Sequence, residues 1–493
     1  MREIGADDVA DFVKNGHRVA FGGFTPAGSP KVIGPAIAKK AEAEHAVGNA
    51  FAIHVFAGAS TGDAVDGVLA RAKAVISKTP YQASGDMRNA ANAGEVKYWD
   101  MHISHFAQQV KQRILGEIDL AIIEAADVSP GGEIILTTAV GTAEIFCRYA
   151  KNIAIELNEY HPKKIRGLHD IYEMELAPNT KPIPLLTARD RIGTDSIVVD
   201  PNKILGVVRT NIPDQARVLT ESDADTDKIG ENVAKFLIDE MASGRIPRKF
   251  LPVQSGVGSI ANSVLKAMSL CREIPPYVMY SEVLQDSVIA AIKSGDVLFG
   301  SATALAVSNE CLDEIYGNYD FFRERIVLRP EAISNHPEIA LRLGLISVNT
   351  ALEADICGNV NSTHAFGTKV VNGIGGAADF ARNAQISIFV CKSTAKDGKI
   401  SAIVPLCSHV DHTEHSVKVL ITEQGIADLR GKDPRQRARA IIDNCAHGDY
   451  RDMLTEYLRI AKEGHEPFSL RNAFGMHGAF LAEGDMRRVS WIR

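Results

Sequence analysis

AFGGFTPAGSPKVIGPAIAKKA at residues 20–41 and VQSGVGSIANSVLKAMS at 253–269 read alike: a short apolar run, a turn of glycine and small residues, then a helix-spaced stretch. A strand that feeds a glycine turn and then a helix is the repeating unit of a parallel α/β fold. The echo recurs further on, where GTAEIFCRYAKNIAIEL (141–157) and GGAADFARNAQISIFV (375–390) each read as a helix followed by a strand. Two matches in the same order predict a duplicated architecture, two tandem and similar open α/β domains facing across a cleft. The alternation of strand and helix continues through FAIHVFAG, DLAIIEAADV, NIAIELN, PYVMYS, DVLFGSA, ISIFVCKS and VKVLIT. It pauses at IPDQARVLTESDADTDKIG (212–230), a polar, acid-rich stretch that reads as a connection, so the expected domains are 1–223 and 224–493.

The 493 residues are enough for two or three domains that each bury a core without disulfide or metal staples. Hydrophobic residues at 45%, charged residues at 23% and 40 glycines are the composition of a globular α/β enzyme. A formal charge of -7 without long single-sign blocks leaves no electrostatic footprint for nucleic acid or an anionic membrane. No stretch reaches the roughly 18 apolar residues of a membrane span, and the acid-bearing N-terminus is no signal peptide, so a cytoplasmic protein is expected. Seven scattered cysteines, none in a C-x-x-C pair, argue against a disulfide framework or a cysteine-rich zinc site.

Several stretches can carry chemistry. In YVMYSEVLQD (277–286) the reading is a strand over 277–280, Ser281 as N-cap, and a helix from Glu282 to about residue 294 ended by Gly295. Glu282 is then either a favourable first-turn acid kept ionised by the helix dipole, or a nucleophilic carboxylate at the end of a strand, where open α/β sheets bind ligands. SGVGSIAN (255–262) is a glycine turn entering a helix, either a tight turn or a ligand loop; it lacks the full dinucleotide and P-loop patterns, which supports neither NAD nor ATP. NGIGGAADF (372–380) repeats the theme, and N–H groups at the start of its helix can form an oxyanion hole. Glu423, after the strand of VKVLITEQG (417–425), is a second strand-end acid, or else a loop carboxylate satisfied by nearby N–H groups. CSHVDHTEHSV (407–417) offers imidazoles and carboxylates, but its spacing on an extended segment sends alternate side chains to opposite faces, so no metal is assigned.

Seven segments together, GGFTPAGSPKVI, FLPVQSGVGSIAN, YVMYSEVLQD, SVNTALEADICGNVNST, NGIGGAADFARNA, SAIVPLCSHVDHTEHSV and VLITEQGIADLRG, resemble the acetyl-CoA hydrolase/transferase family of class I CoA-transferases, above all its succinyl-CoA:acetate branch. The resemblance spans nearly the whole chain. It implies a ping-pong CoA-transferase in which Glu282 is the nucleophile and passes through a glutamyl-CoA thioester. It implies oxyanion donors at Asn335, which local chemistry alone reads as a helix cap, and at the backbone N–H of Gly376. Glu423 becomes the second active-site acid. Contacts to coenzyme A fall on Val257, Gly258, Ser259, Ile260 and Ala261, on Asn372 and Gly376, and on Lys396, which by itself reads as an exposed turn lysine. Coenzyme A enters as substrate and covalent intermediate, with no permanently bound cofactor, and the family implies a homodimer. The alternatives are a short-chain acyl-CoA hydrolase, a propionyl- or butyryl-CoA:acetate or 4-hydroxybutyrate CoA-transferase, and a CoA-binding protein without catalysis. Ser281 stands where many relatives are expected to carry threonine; both residues cap helices.

Overall fold

The computed structural model describes residues 1–215 and 221–492. Residues 216–220, within the expected connection, lie outside the described residues. The chain forms two compact units: Met1–Val218 with Val278–Leu343 and Asn372–Asp379, and Leu219–Tyr277 with Gly344–Val371 and Phe380–Arg493.

In the first unit the strands Lys97–Tyr98, Val75–Thr79, Ile53–Ala57, Arg18–Phe21, Leu120–Val128, Asn152–Asn158 and Ile204–Thr210 lie side by side in that order, each parallel to its neighbour. Short antiparallel strands, Glu133–Leu136 and Ile197–Val198, extend from the far end of Leu120–Val128. The near-continuous apolar run LAIIEA is buried throughout, as expected of a strand covered on both faces. Val19, Phe21, Ile33, Ile37, Ile53, Val55, Leu120 and Ile122 share one core. After Arg18–Phe21 the chain adds strands on one side, then returns with Leu120–Val128 on the other. That change of direction is a topological switch point, and the crevice outside the carboxyl ends of its strands is where such sheets take ligands. The loop 22–32 leaves the sheet there, and Lys31 within it is buried, with its ammonium ion-paired to Glu124 and, at 2.6 Å, to Asp214.

The second unit carries the strands Val253–Ser255, Ile346–Thr350, Ile386–Val390 and Val419–Thr422 in a parallel run, closed by antiparallel Gly425–Asp428. Its helices include Ala224–Ala242, Ser259–Leu270, Pro434–Cys445 and Gly448–Ile460. Both halves of the expected duplication are therefore α/β layers around parallel strands. The paired segments also read as expected: strand then helix at Arg18–Phe21 and Ile33–Ala46 and at Val253–Ser255 and Ser259–Leu270, with helix then strand at Ala143–Tyr149 and Asn152–Asn158 and at Ala377–Ala381 and Ile386–Val390.

Three local expectations differ from the structure. The polar stretch 212–230 is not all connection. Asp214 belongs to the buried Lys31 cluster, and Asp223 caps the 19-residue helix Ala224–Ala242 by accepting from Thr226 N–H, with the Thr226 hydroxyl completing the capping box. The linear division 1–223 and 224–493 does not match the compact units, because 278–343 and 372–379 pack into the first unit. Long-range bonds explain the return: Ala139 bridges Ala304, Gly141 bridges Pro330, and the fully buried Arg329 pairs with Asp170. Finally, the helix after YVMYSEVLQD begins at Asp286, and Ser281 does not cap it. Strand Tyr277–Tyr280 is followed by a second short strand, Val283–Leu284, which pairs in parallel with Ala304–Leu305. Local helix-start signals yield here to strand pairing. Gly295 does end the helix, in the left-handed conformation.

Candidate functional site

Glu282 sits between the two short strands, not in a helix, so the helix dipole expected to hold its charge does not apply to it. Its backbone is fixed on both sides: Ser281 N–H donates to Ser301 O at 2.9 Å and Thr303 N–H to Glu282 O at 2.9 Å. Val283, the next residue, joins Phe24, Ala27, Ala59, Ile103, Ala139 and Ala304 in a small buried cluster. Phe24 and Ala59 lie just beyond the carboxyl ends of strands Arg18–Phe21 and Ile53–Ala57. Glu282 is thereby anchored beside the switch-point crevice of the first unit, half-buried.

Asn335 and Gly376 meet it there. A Cβ built on Gly376 would stand 2.0 Å from Asn335 Nδ2 and 2.9 Å from Glu282 Oε2, so only glycine fits and both side chains close on that one residue. Asn335 ends the helical turn Glu331–Ser334 and is fully buried, yet neither its amide oxygen nor its amide nitrogen has a hydrogen-bond partner among the described residues. An orphaned buried amide costs about 1–3 kcal/mol, and a protein that keeps one has a use for the group. The segment that brings Gly376 is held by its own backbone: Tyr98 OH donates to Asn372 O at 2.9 Å, Gln82 Nε2 to the same oxygen at 3.3 Å, and Ile374 N–H to the Asp100 carboxylate at 2.7 Å. Asn372 lies in this loop with its side-chain oxygen buried.

Three carboxyls behind the site were not singled out from the sequence. Glu331 is fully buried, and its pKa is driven well above the ordinary range, first by burial and further by the nearby carboxyls Glu144, Glu282 and Asp379. The Thr142 hydroxyl is close enough to favour the charged form but outside good hydrogen-bond geometry. Burial likewise pushes Glu144 up to about 8 and Asp379 up to about 7, the latter opposed by bonds from Ser104 N–H at 3.1 Å and Ser104 Oγ at 2.6 Å. The spacing Glu331 to Asn335, four residues apart, is the one signal in EAISNHPEIA that could have found the pair.

The remaining candidates belong to the second unit. Glu423 follows strand Val419–Thr422 and accepts from Ser393 N–H at 2.9 Å, from the Ser393 hydroxyl, and from Gln424 Nε2 at 3.1 Å. Val257 and Gly258 are exposed, Gly258 turning at φ +107, and Ser259, Ile260 and Ala261 form the first turn of Ser259–Leu270, whose opening N–H groups lack intrahelical partners. Lys396 is exposed in a left-handed turn, its ammonium 5.3 Å from the centre of the Phe480 ring.

The histidine-rich segment disperses as its spacing predicts. His409 reaches Asp411 at 3.2 Å, buried His412 packs on Phe389 at 4.6 Å, and exposed His415 stands 3.9 Å from Glu414. Two other groups bring ligand-type atoms within 4.8 Å of one another, Glu124 with His161 and Asp214, and Cys357 with Glu414 and Glu466. In the first the Lys31 ammonium already supplies the positive charge. In the second the Cys357 thiol donates to Glu466 at 3.2 Å, and burial pushes its pKa up.

Family models for the acetyl-CoA hydrolase/transferase N-terminal and C-terminal domains match residues 2–209 and 312–458. The chain is 48% identical to the propanoyl-CoA:succinate CoA transferase of Escherichia coli K12, covering 98% of each chain. It is 46% identical to the succinyl-CoA:acetate CoA-transferase of Clostridium kluyveri (98% of this chain, 90% of the relative) and 38% identical to the acetyl-CoA hydrolase of Schizosaccharomyces pombe (97% and 95%). The fold is shared with the solved 4-hydroxybutyrate CoA-transferase of Porphyromonas gingivalis, at a TM-score of 0.63, 21% identity and coverage of 93% and 97%. No helix among the described residues is long and apolar enough to cross a membrane. With matched models over both halves and relatives that align end to end, the chain belongs to the acetyl-CoA hydrolase/transferase family.

Proposed function

We propose that this enzyme of the CoA-transferase type moves CoA between succinyl-CoA and acetate, or a related short-chain carboxylate, through a glutamyl-CoA thioester on Glu282. The observation that carries the proposal is the approach of a half-buried carboxylate and an unpartnered buried amide to one glycine that admits no side chain.

In the proposed sequence the Glu282 carboxylate attacks the acyl-CoA thioester carbon. The resulting oxyanion collapses by expelling CoA thiolate and leaves an acyl-glutamyl anhydride. The thiolate then attacks the glutamyl carbonyl, the donor acid departs as its carboxylate, and glutamyl-CoA remains. An incoming carboxylate runs the two steps in reverse, so the thioester is conserved. Each addition creates a tetrahedral oxyanion, and preorganised donors such as the Asn335 amide and the Gly376 N–H are worth most where water is excluded. The roles proposed for Glu423 as second acid, and for Val257 to Ala261, Asn372 and Lys396 as CoA contacts, rest on the family resemblance, as does a homodimeric state. Relatives named as acetyl-CoA hydrolases keep a second reading open, in which water resolves the same intermediate.

The test is to mix protein with acetyl-CoA or succinyl-CoA without acceptor, reduce with borohydride, and map the modified peptide by mass spectrometry. Reduction confined to Glu282 is expected; an unmodified Glu282 in active protein would refute the proposal. CoA release that is faster without a carboxylate than transfer with one would select the hydrolase reading.

A further inference from the structure

The turn that carries Asn335 is braced from behind. Glu331 opens that turn, Asn335 N–H donates to Glu331 O at 2.9 Å, and Glu331 N–H donates to Gly141 O at 2.9 Å. Four residues apart on a helical turn, the two side chains share a face. A Cβ built on Gly58 would stand 2.4 Å from Glu331 Oε2 and 3.1 Å from the Thr142 hydroxyl, so the carboxyl group lies directly against the backbone that follows strand Ile53–Ala57. Glu331 is fully buried, and neither carboxyl oxygen has a hydrogen-bond partner of good geometry among the described residues. The charged groups that act on it most are carboxyls, Glu144, Glu282 and Asp379.

From this geometry, and resting on the reading of Glu282 given above, we propose that Glu331 is a positioning residue: it wedges between Gly58 and the Asn335 turn and sets the Asn335 amide against Gly376 by shape, not by charge. Burial and the surrounding carboxyls agree, since both favour the uncharged acid. A second anion beside Glu282 would oppose the oxyanion that forms there, whereas an uncharged wedge of the same size does not. Glutamine has the shape of the neutral acid and alanine does not.

The test compares E331Q, E331A and G58A with wild type in both half-reactions, each kcat normalised to the amount of Glu282 that borohydride can trap. E331A is expected to lose about 10- to 100-fold in kcat at little changed KM, the scale of an ångström of misplacement at a reacting centre. E331Q, the conservative variant, is expected to restore kcat to within about threefold of wild type, under half of one tenfold step in free energy. G58A, which pushes a methyl group toward Glu331 without touching its chemistry, is expected to lower kcat in the same direction and keeps the test decisive should E331A fold poorly. Because kcat is counted per trappable site, a simple loss of folded protein does not mimic the effect. E331Q as impaired as E331A, or E331A and G58A as fast as wild type, with Glu282 trapped normally, overturns the inference alone. Failure to label Glu282 in active wild type overturns the reading of Glu282 and this inference together.

Discussion

Glu423 and Glu282 both follow strands, and their surroundings differ. Glu423 ends the strand Val419–Thr422 with its carboxylate engaged by the Ser393 N–H, the Ser393 hydroxyl and Gln424. Glu282 ends Tyr277–Tyr280 beside an amide that is buried and unpartnered, a glycine in contact with its carboxylate, and buried carboxyls that favour their neutral forms. A satisfied acid is inexpensive to keep and describes an anchored loop. An unpartnered buried group such as the Asn335 amide carries a standing cost in stability, which persists where a transition state makes use of it. The difference agrees with the covalent role proposed for Glu282 and the orienting part proposed for Glu423.

The largest effect expected is that of E282Q, which removes the proposed nucleophile and should lower transfer by about 10⁴-fold or more while leaving folding intact. Residual turnover at wild-type level, measured with freshly purified protein, would end the comparison at once. G376A comes next, by about 10³-fold, because its methyl group would have to share space with Asn335 Nδ2 2.0 Å away. N335A should cost about 10²-fold in kcat with an unchanged or raised Tm, since deleting an unpaired buried amide removes a penalty. A lower Tm with kcat preserved would make that amide structural. E423Q keeps an acceptor for Ser393 and should cost about tenfold, about 1.4 kcal/mol; a loss larger than that of N335A would reverse the ranking of the two acids.

The smallest effect is on stability. Glu144 holds its proton up to about pH 8 in the folded protein, whereas an ordinary glutamate releases it near 4.5. Between those values the folded state binds a proton that the unfolded chain has lost, so stability falls as pH rises through this window. E144Q removes that dependence, and the Tm difference between E144Q and wild type should widen by about 2 °C from pH 5 to pH 8 in thermal melts. A constant difference across that range would mean that Glu144 is ionised in the folded protein.

Much of this was legible along the chain. Strand Leu120–Val128 announced itself as a buried apolar run, and glycine turns correctly marked strand-to-helix junctions at 22–32 and 256–258. Glu282 stands out in its own motif, whereas Asn335 and the Gly376 N–H follow only from the family resemblance; the three positions are 41 to 94 residues apart, and the structure brings both side chains against Gly376. Less legible was anything that depends on a partner far away in sequence. Ser281-Glu282 carries a local helix-start signal, but pairing with Ala304–Leu305 keeps the chain extended for two more residues and moves the helix to Asp286.

What the sequence by itself determined is the kind of fold and the membership of the family, because strand and helix periodicity, glycine turns and motif order are local properties that survive without coordinates. Tertiary structure decided which compact unit owns Glu282, that the helix dipole does not act on it, and that Glu331, Glu144 and Asp379 lie behind the site with their pKa values raised. Burial and the approach of distant groups set those properties, and neither is written in any window of consecutive residues.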